Sequence, residues 1–85
     1  MHASAGTVVW QPRAERALRR LRNAQLEEAI KKEVDRYTAT GHGNVLPVKS
    51  LKNRLRLRYR YVRVIFEQTG STVIIHDLDK REDAY

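Results

Sequence analysis

Apolar residues recur along this chain at two spacings, and the spacings divide it. From Arg13 to Arg22 the apolar positions are Ala14, Ala17, Leu18 and Leu21. That i, i+3, i+4, i+7 stripe predicts one face of a helix, with Arg13, Arg16, Arg19, Arg20 and Arg22 on the remainder. Leu26, Ile30, Val34 and Tyr37 step by about four and predict the inward stripe of a second helix. Pro12 stands at a first helical position, where its missing N–H costs nothing. Asn23 suits the N-cap of the second helix, with Glu27 and Glu28 near its positive end, and Gly41 suits its stop. With almost no linker between them, the helices read as an antiparallel hairpin.

After a loop at 42–44 the period shortens to two. Val45-Leu46-Pro47-Val48 is extended, and Pro47 argues for an edge or irregular strand. Residues 49–53 read as a loop. Arg54-Leu55-Arg56-Leu57-Arg58-Tyr59 then alternates, sending three guanidinium groups one way and Leu55, Leu57 and Tyr59 the other. A reversal near Arg58–Tyr61, without the usual Gly or Asn, leads into a strand from Val62 to Gln68. Thr69-Gly70-Ser71 is a turn, Thr72–Leu78 a β-branched strand, and Asp79–Tyr85 a charged tail. Upstream, Met1–Gly6 is small, polar and expected to fray, and Thr7–Trp10 is a short strand. The order β-α-α-β-β-β predicts an α+β fold in one domain, residues 1–85: a small antiparallel-rich sheet with an N-terminal helical hairpin packed on one face.

Composition adds a partner class. Eighty-five residues allow one modest core, burying roughly two-thirds of the unfolded surface. There is no cysteine, so disulfides and thiolate metal sites are excluded. No apolar run approaches the roughly 18 residues of a membrane span, and the N-terminus has no apolar signal core, so a cytoplasmic location is the default. Seventeen Lys and Arg stand against ten Asp and Glu, a formal +7, and twelve of the cations are Arg. Arg grips phosphate bidentately and stacks on bases, so this is the electrostatic footprint of a nucleic-acid binder.

Most catalytic chemistries lack their residues here. There is no Cys nucleophile, no glycine-rich phosphate loop and no metal-ligand spacing. His2, His42 and His76 lie far apart, and His76, alternating with Ile74 and Leu78, reads as a partly buried strand residue. Asp77, Asp79, Glu82 and Asp83 sit beside Lys80 and Arg81 and read as surface ion pairs. What remains is Arg54, Arg56 and Arg63 on neighbouring strands, Arg81 after the last strand, and Tyr85. Arg can neutralise a pentavalent phosphorane, and in RNA the 2′-hydroxyl is a built-in nucleophile. The residues alone leave two readings open, a binding face and a ribonuclease.

The run Arg54-Leu55-Arg56-Leu57-Arg58, then Val62-Arg63-Val64-Ile65-Phe66, then Lys80-Arg81-Glu82-Asp83-Ala84-Tyr85, resembles the RelE/ParE superfamily of bacterial toxins. The first strand and helical hairpin agree in kind, and the specific part of the likeness is the C-terminal 32 residues. The RelE-like branch implies a type II toxin that cleaves mRNA in the ribosomal A site without a metal or other cofactor, neutralised by a cognate antitoxin. The ParE-like branch implies a DNA gyrase inhibitor instead, and a non-catalytic RNA-binding relative is the third alternative. On the RelE-like reading Arg63, Arg81 and Tyr85 are the catalytic residues, and Lys52, Arg54, Arg56 and Arg58 hold the substrate. Arg81 would hold the phosphate or protonate the leaving oxygen. Tyr85 would stack on the base and help deprotonate the 2′-hydroxyl.

Overall fold

Residues 6–80 are described by a computed structural model of the chain. They form β1 (Thr7–Trp10), α1 (Pro12–Arg19), α2 (Ala24–Thr40), β2 (Val45–Pro47), β3 (Leu55–Tyr59), β4 (Val62–Thr69) and β5 (Thr72–Lys80). The extended segment at Pro47 is a genuine strand, so four strands follow the helical hairpin, one more than the order β-α-α-β-β-β. It pairs only with β3, at the sheet edge, where a proline without an N–H is tolerated. The sheet order is β1-β5-β4-β3-β2, antiparallel except for the parallel β1–β5 pair. No helix of the described residues is long and apolar enough to cross a membrane.

The helix signals act as expected. Pro12 opens α1, which ends at Arg19 rather than at Arg22, whose φ is 54°. The Asn23 side chain accepts a hydrogen bond from the Leu26 N–H at 3.0 Å. Gly41 ends α2 at φ 78°, a left-handed conformation that costs glycine least. The stripes of both helices cover one sheet face. Ala14, Leu18, Leu26, Ile30 and Val34 pack with Leu57, Val62, Val64, Phe66, Val73 and Ile75 in one buried cluster. Tyr37 completes the α2 stripe by meeting Phe66 edge to face, 5.4 Å between centroids. Burying each large apolar side chain contributes roughly 1.5–3 kcal/mol, so this face holds the domain together and leaves the other free for function.

Two strand ends differ from the periodic reading. The β3–β4 connection is a two-residue turn, Arg60-Tyr61, with Arg60 at φ 57° in place of glycine. Its guanidinium lies over the Tyr59 ring, 5.7 Å from the centroid. The last strand runs on to Lys80, because Asp79 and Lys80 continue the β4 ladder opposite Arg63 and Val62. Gly6 is also placed by the sheet: a Cβ there would stand 2.0 Å from the Ser71 carbonyl oxygen, which accepts the Thr7 N–H. Residues 1–5 of the expected frayed end, His2 included, lie outside the described residues.

Candidate functional site

The face of the sheet away from the helices is built by the odd partners of the core alternation. In β4, Val62, Val64 and Phe66 are buried, so Arg63, Ile65 and Glu67 face outward. In β3, Leu57 is buried and Arg56 and Arg58 face outward, with Arg54 just before the strand. Register then sets the rows. Asp77, Ile65, Arg56 and Leu46 lie side by side across β5, β4, β3 and β2, and Asp79, Arg63 and Arg58 form the next row.

A bulge in β5 shapes this face. Ile65 pairs with Asp77 but Phe66 pairs with Ile75, so His76 is the extra residue. The bulge shifts the alternation. Leu78 packs against the core, opposite Val64, and does not share a face with His76, as uninterrupted alternation had suggested.

Residues 48–51, in the loop before β3, close one side of a groove of about 800 Å³. Its floor and far side include Arg56, Arg63, Ile65, Asp77 and Asp79. Two further depressions adjoin it. One holds Lys52, Arg54 and Glu67, and the other holds Arg13, Arg54 and His76 and shares Leu51, Ile65 and Asp77 with the groove.

The structure therefore brings Arg56 and Arg63 into one groove and sets Arg54 and Lys52 beside it. Arg58 stays exposed at the margin, directly opposite Arg63 in register, and donates from Nε to the Arg60 carbonyl oxygen at 3.3 Å. Two arginines facing each other across a ladder repel. Asp79, on the other side of Arg63, offsets that by ion-pairing with it. The Arg63 side chain is only 19% exposed, and its Nε–H is buried with no hydrogen-bond partner among the described residues. Arg54 is held by Glu67, Nη1 to Oε1 3.3 Å, and the same Oε1 lies 3.1 Å from His76 Nε2. Asp77 pairs with Arg13 of α1 at 3.4 Å. Thus Asp77 and Asp79 are surface ion-pair residues, as expected, but with partners from distant elements. Arg81 and Tyr85 lie outside the described residues. Lys80, the last described residue, pairs with Val62, next to Arg63 of the groove.

Glu67 was not singled out by sequence spacing. The signal was nonetheless present, since period-two alternation from Arg63 places Glu67 on the same face.

No family model matches the chain. No curated protein matches it. Solved structures do share its fold. A chain of the RelBE2 toxin–antitoxin complex from Mycobacterium tuberculosis superposes with a TM-score of 0.79 at 19% identity, covering 94% of this chain and 95% of that one. A chain of the RelB–RelE antitoxin–toxin complex from Methanococcus jannaschii gives 0.69 at 17% identity, covering 91% and 94%. A chain of the YoeB–YefM complex from Staphylococcus aureus gives 0.71 at 13% identity, covering 92% and 99%. The architecture derived above is thus that of chains found in toxin–antitoxin complexes.

Proposed function

We propose that this chain is the toxin of a type II toxin–antitoxin pair: a ribosome-dependent, metal-independent endoribonuclease that cleaves mRNA in the A site and blocks translation in the cytoplasm. The observation that carries this reading is the groove holding Arg56 and Arg63, with a buried Arg63 N–H that has no acceptor among the described residues. A guanidinium that is partly withdrawn from water binds phosphate more strongly than an exposed one, because charge-assisted hydrogen bonds are stronger at low local dielectric. All three neighbours are chains of complexes, two of them named as toxin and antitoxin together, which supports a protein antitoxin as partner. An acidic segment, disordered when free, is the chemistry that suits this face.

In this mechanism Lys52, Arg54, Arg56 and Arg58 hold the RNA backbone. Arg56 and Arg63 stabilise the charge that develops on the phosphorane as the 2′-oxygen attacks in line. Arg81 holds the phosphate or protonates the leaving 5′-oxygen, and Tyr85 stacks on the base and assists at the 2′-hydroxyl. A second reading, gyrase inhibition, is favoured by one observation: Arg54 and Arg63 are already paired with Glu67 and Asp79, as on a protein-docking face.

Translation in vitro with mapped mRNA ends separates the two. The wild type is expected to cut ribosome-bound mRNA, and Arg81→Ala and Tyr85→Phe to lose the cuts and growth inhibition together. Intact growth inhibition in both variants, or arrest of DNA replication before translation, overturns the ribonuclease reading.

A further inference from the structure

Arginine stays protonated at any working pH, so the basic face can bind and stabilise but cannot take the 2′-hydroxyl proton. A tyrosine phenol, with an ordinary pKa of about 10, is a weak base. Imidazole is the side chain that exchanges a proton near neutrality. Among the described residues one imidazole stands on this face, that of His76, which has no part in the mechanism above.

We propose that His76 and Glu67, brought together on the outer sheet face beside Arg54, are the general base of RNA cleavage and the group that orients it. The inference rests on the ribonuclease reading and extends it to the proton-transfer step.

Three observations carry it. First, His76 is the bulged residue of β5, and bulges re-aim side chains at functional sites. Second, Glu67 Oε1 faces both His76 Nε2, at 3.1 Å, and Arg54 Nη1, at 3.3 Å. A carboxylate oxygen accepts the Nε2–H, and that fixes the tautomer with Nδ1 as the free acceptor. Third, His76 and Arg54 line a depression of about 530 Å³ that shares Ile65, Leu51 and Asp77 with the groove of Arg56 and Arg63. Their side chains remain 30% exposed, so a ribose can reach them. The charged groups around the imidazole are Arg54 before β3, Glu67 of β4, Asp77 of β5 and Arg13 of α1; Gln11, following β1, contributes none.

The step balances without a further cofactor. His76 Nδ1 takes the 2′-hydroxyl proton as the 2′-oxygen bonds to phosphorus. The bond from phosphorus to the 5′-oxygen breaks, and that oxygen takes a proton from water while Arg81 keeps the phosphate-holding of its two roles above. The product is a 2′,3′-cyclic phosphate, and the imidazolium returns its proton to solvent. Glu67 stabilises the imidazolium while it lasts, and the Tyr85 phenol stacks on the base and orients the 2′-hydroxyl without taking its proton.

The test is ribosome-dependent cleavage measured across pH for the full chain, His76→Gln, His76→Ala and Glu67→Gln, each checked for folding by circular dichroism and for ribosome binding by co-sedimentation. General-base catalysis is worth about 10²–10⁴-fold. His76→Gln is therefore expected to lose about a hundredfold or more in rate, to keep ribosome binding, and to lose the rise of rate with pH. Free imidazole should restore part of the His76→Ala rate, which a structural role would not allow. Glu67→Gln should lose less and still rise with pH. If His76→Gln and Glu67→Gln cleave at the wild-type rate with an unchanged profile, the pair is not the base and the ribonuclease reading stands. Should His76→Gln misfold, a wild-type-like rate and profile in Glu67→Gln together with no imidazole rescue of His76→Ala overturns the proposal. A wild type that cuts no mRNA overturns both.

Discussion

At the scale of single residues, the groove is a balance between cations and the carboxylates that already hold them. Asp79 occupies Arg63, and its own side chain is half exposed. An ion pair with one exposed partner is worth little, so Asp79→Asn should change unfolding stability by less than about 1 kcal/mol. The same change removes the anion that competes with phosphate for Arg63, and adds one unit of net positive charge. Asp79→Asn should therefore bind single-stranded RNA several-fold more tightly, read by fluorescence anisotropy alongside a thermal melt. Weaker binding with an unchanged melt would show that Asp79 orients Arg63 instead of competing for it. Such pairings explain what could not be read from the chain. Arg63 and Asp79 are sixteen residues apart, and Arg54 and Glu67 thirteen, so only the strand register makes them neighbours. The outward direction of Arg54, Arg56 and Arg63 was legible because their apolar neighbours alternate without a break. The contacts of Arg81 and Tyr85 lie outside the described residues.

At the scale of elements, local signals with their own chemistry were readable and tertiary adjustments were not. Pro12, Asn23, Gly41 and Gly70 each sit where their backbone preferences place them, because a cap or turn is decided within a few residues. The bulge at His76 was hidden in Ile74-Ile75-His76-Asp77-Leu78, a run whose apolar residues suit either face. The three residues of β2 pair only with β3, and of them Val45 packs on the core, so Pro47 was the signal that pointed to an edge strand. The α2 caps give a quantitative check. Asn23→Ala removes the acceptor of the Leu26 N–H and should cost about 1 kcal/mol. Gly41→Ala forces a Cβ into a φ of 78° and should cost about 1 kcal/mol as well. The two sites close opposite ends of a 17-residue helix and share no partner, so the double variant should lose the sum. Denaturant midpoints at constant slope measure this. A double variant no worse than either single would mean that the helix frays from one end as a unit.

At the scale of the whole molecule, the +7 charge is spread over two surfaces, since α1 and the turn after it expose Arg16, Arg19, Arg20 and Arg22 while the outer sheet face carries Arg54, Arg56, Arg58 and Arg63, with Arg13 at its margin. Net charge alone would let RNA lie on either. Salt dependence distinguishes them, because each phosphate neutralised on a single strand contributes about 0.7 to the slope of log affinity against log salt. If RNA occupies the groove, Arg56→Ala removes a cation that has no ion-pair partner among the described residues, and the slope should fall by about 0.7. Arg54→Ala should change it less, because Glu67 already compensates part of that charge. Arg20→Ala, on the helical side, should leave the slope unchanged and weaken binding only through the long-range field. The measurement is anisotropy of a short single-stranded RNA titrated from low to physiological salt with each variant. A slope that falls equally for Arg20 and Arg56 would mean that RNA follows the net charge of the domain and not the geometry of the groove. The same outcome would remove the link between fold and cleavage, since a ribose not seated over Arg56 and Arg63 has no phosphorane charge to place against them.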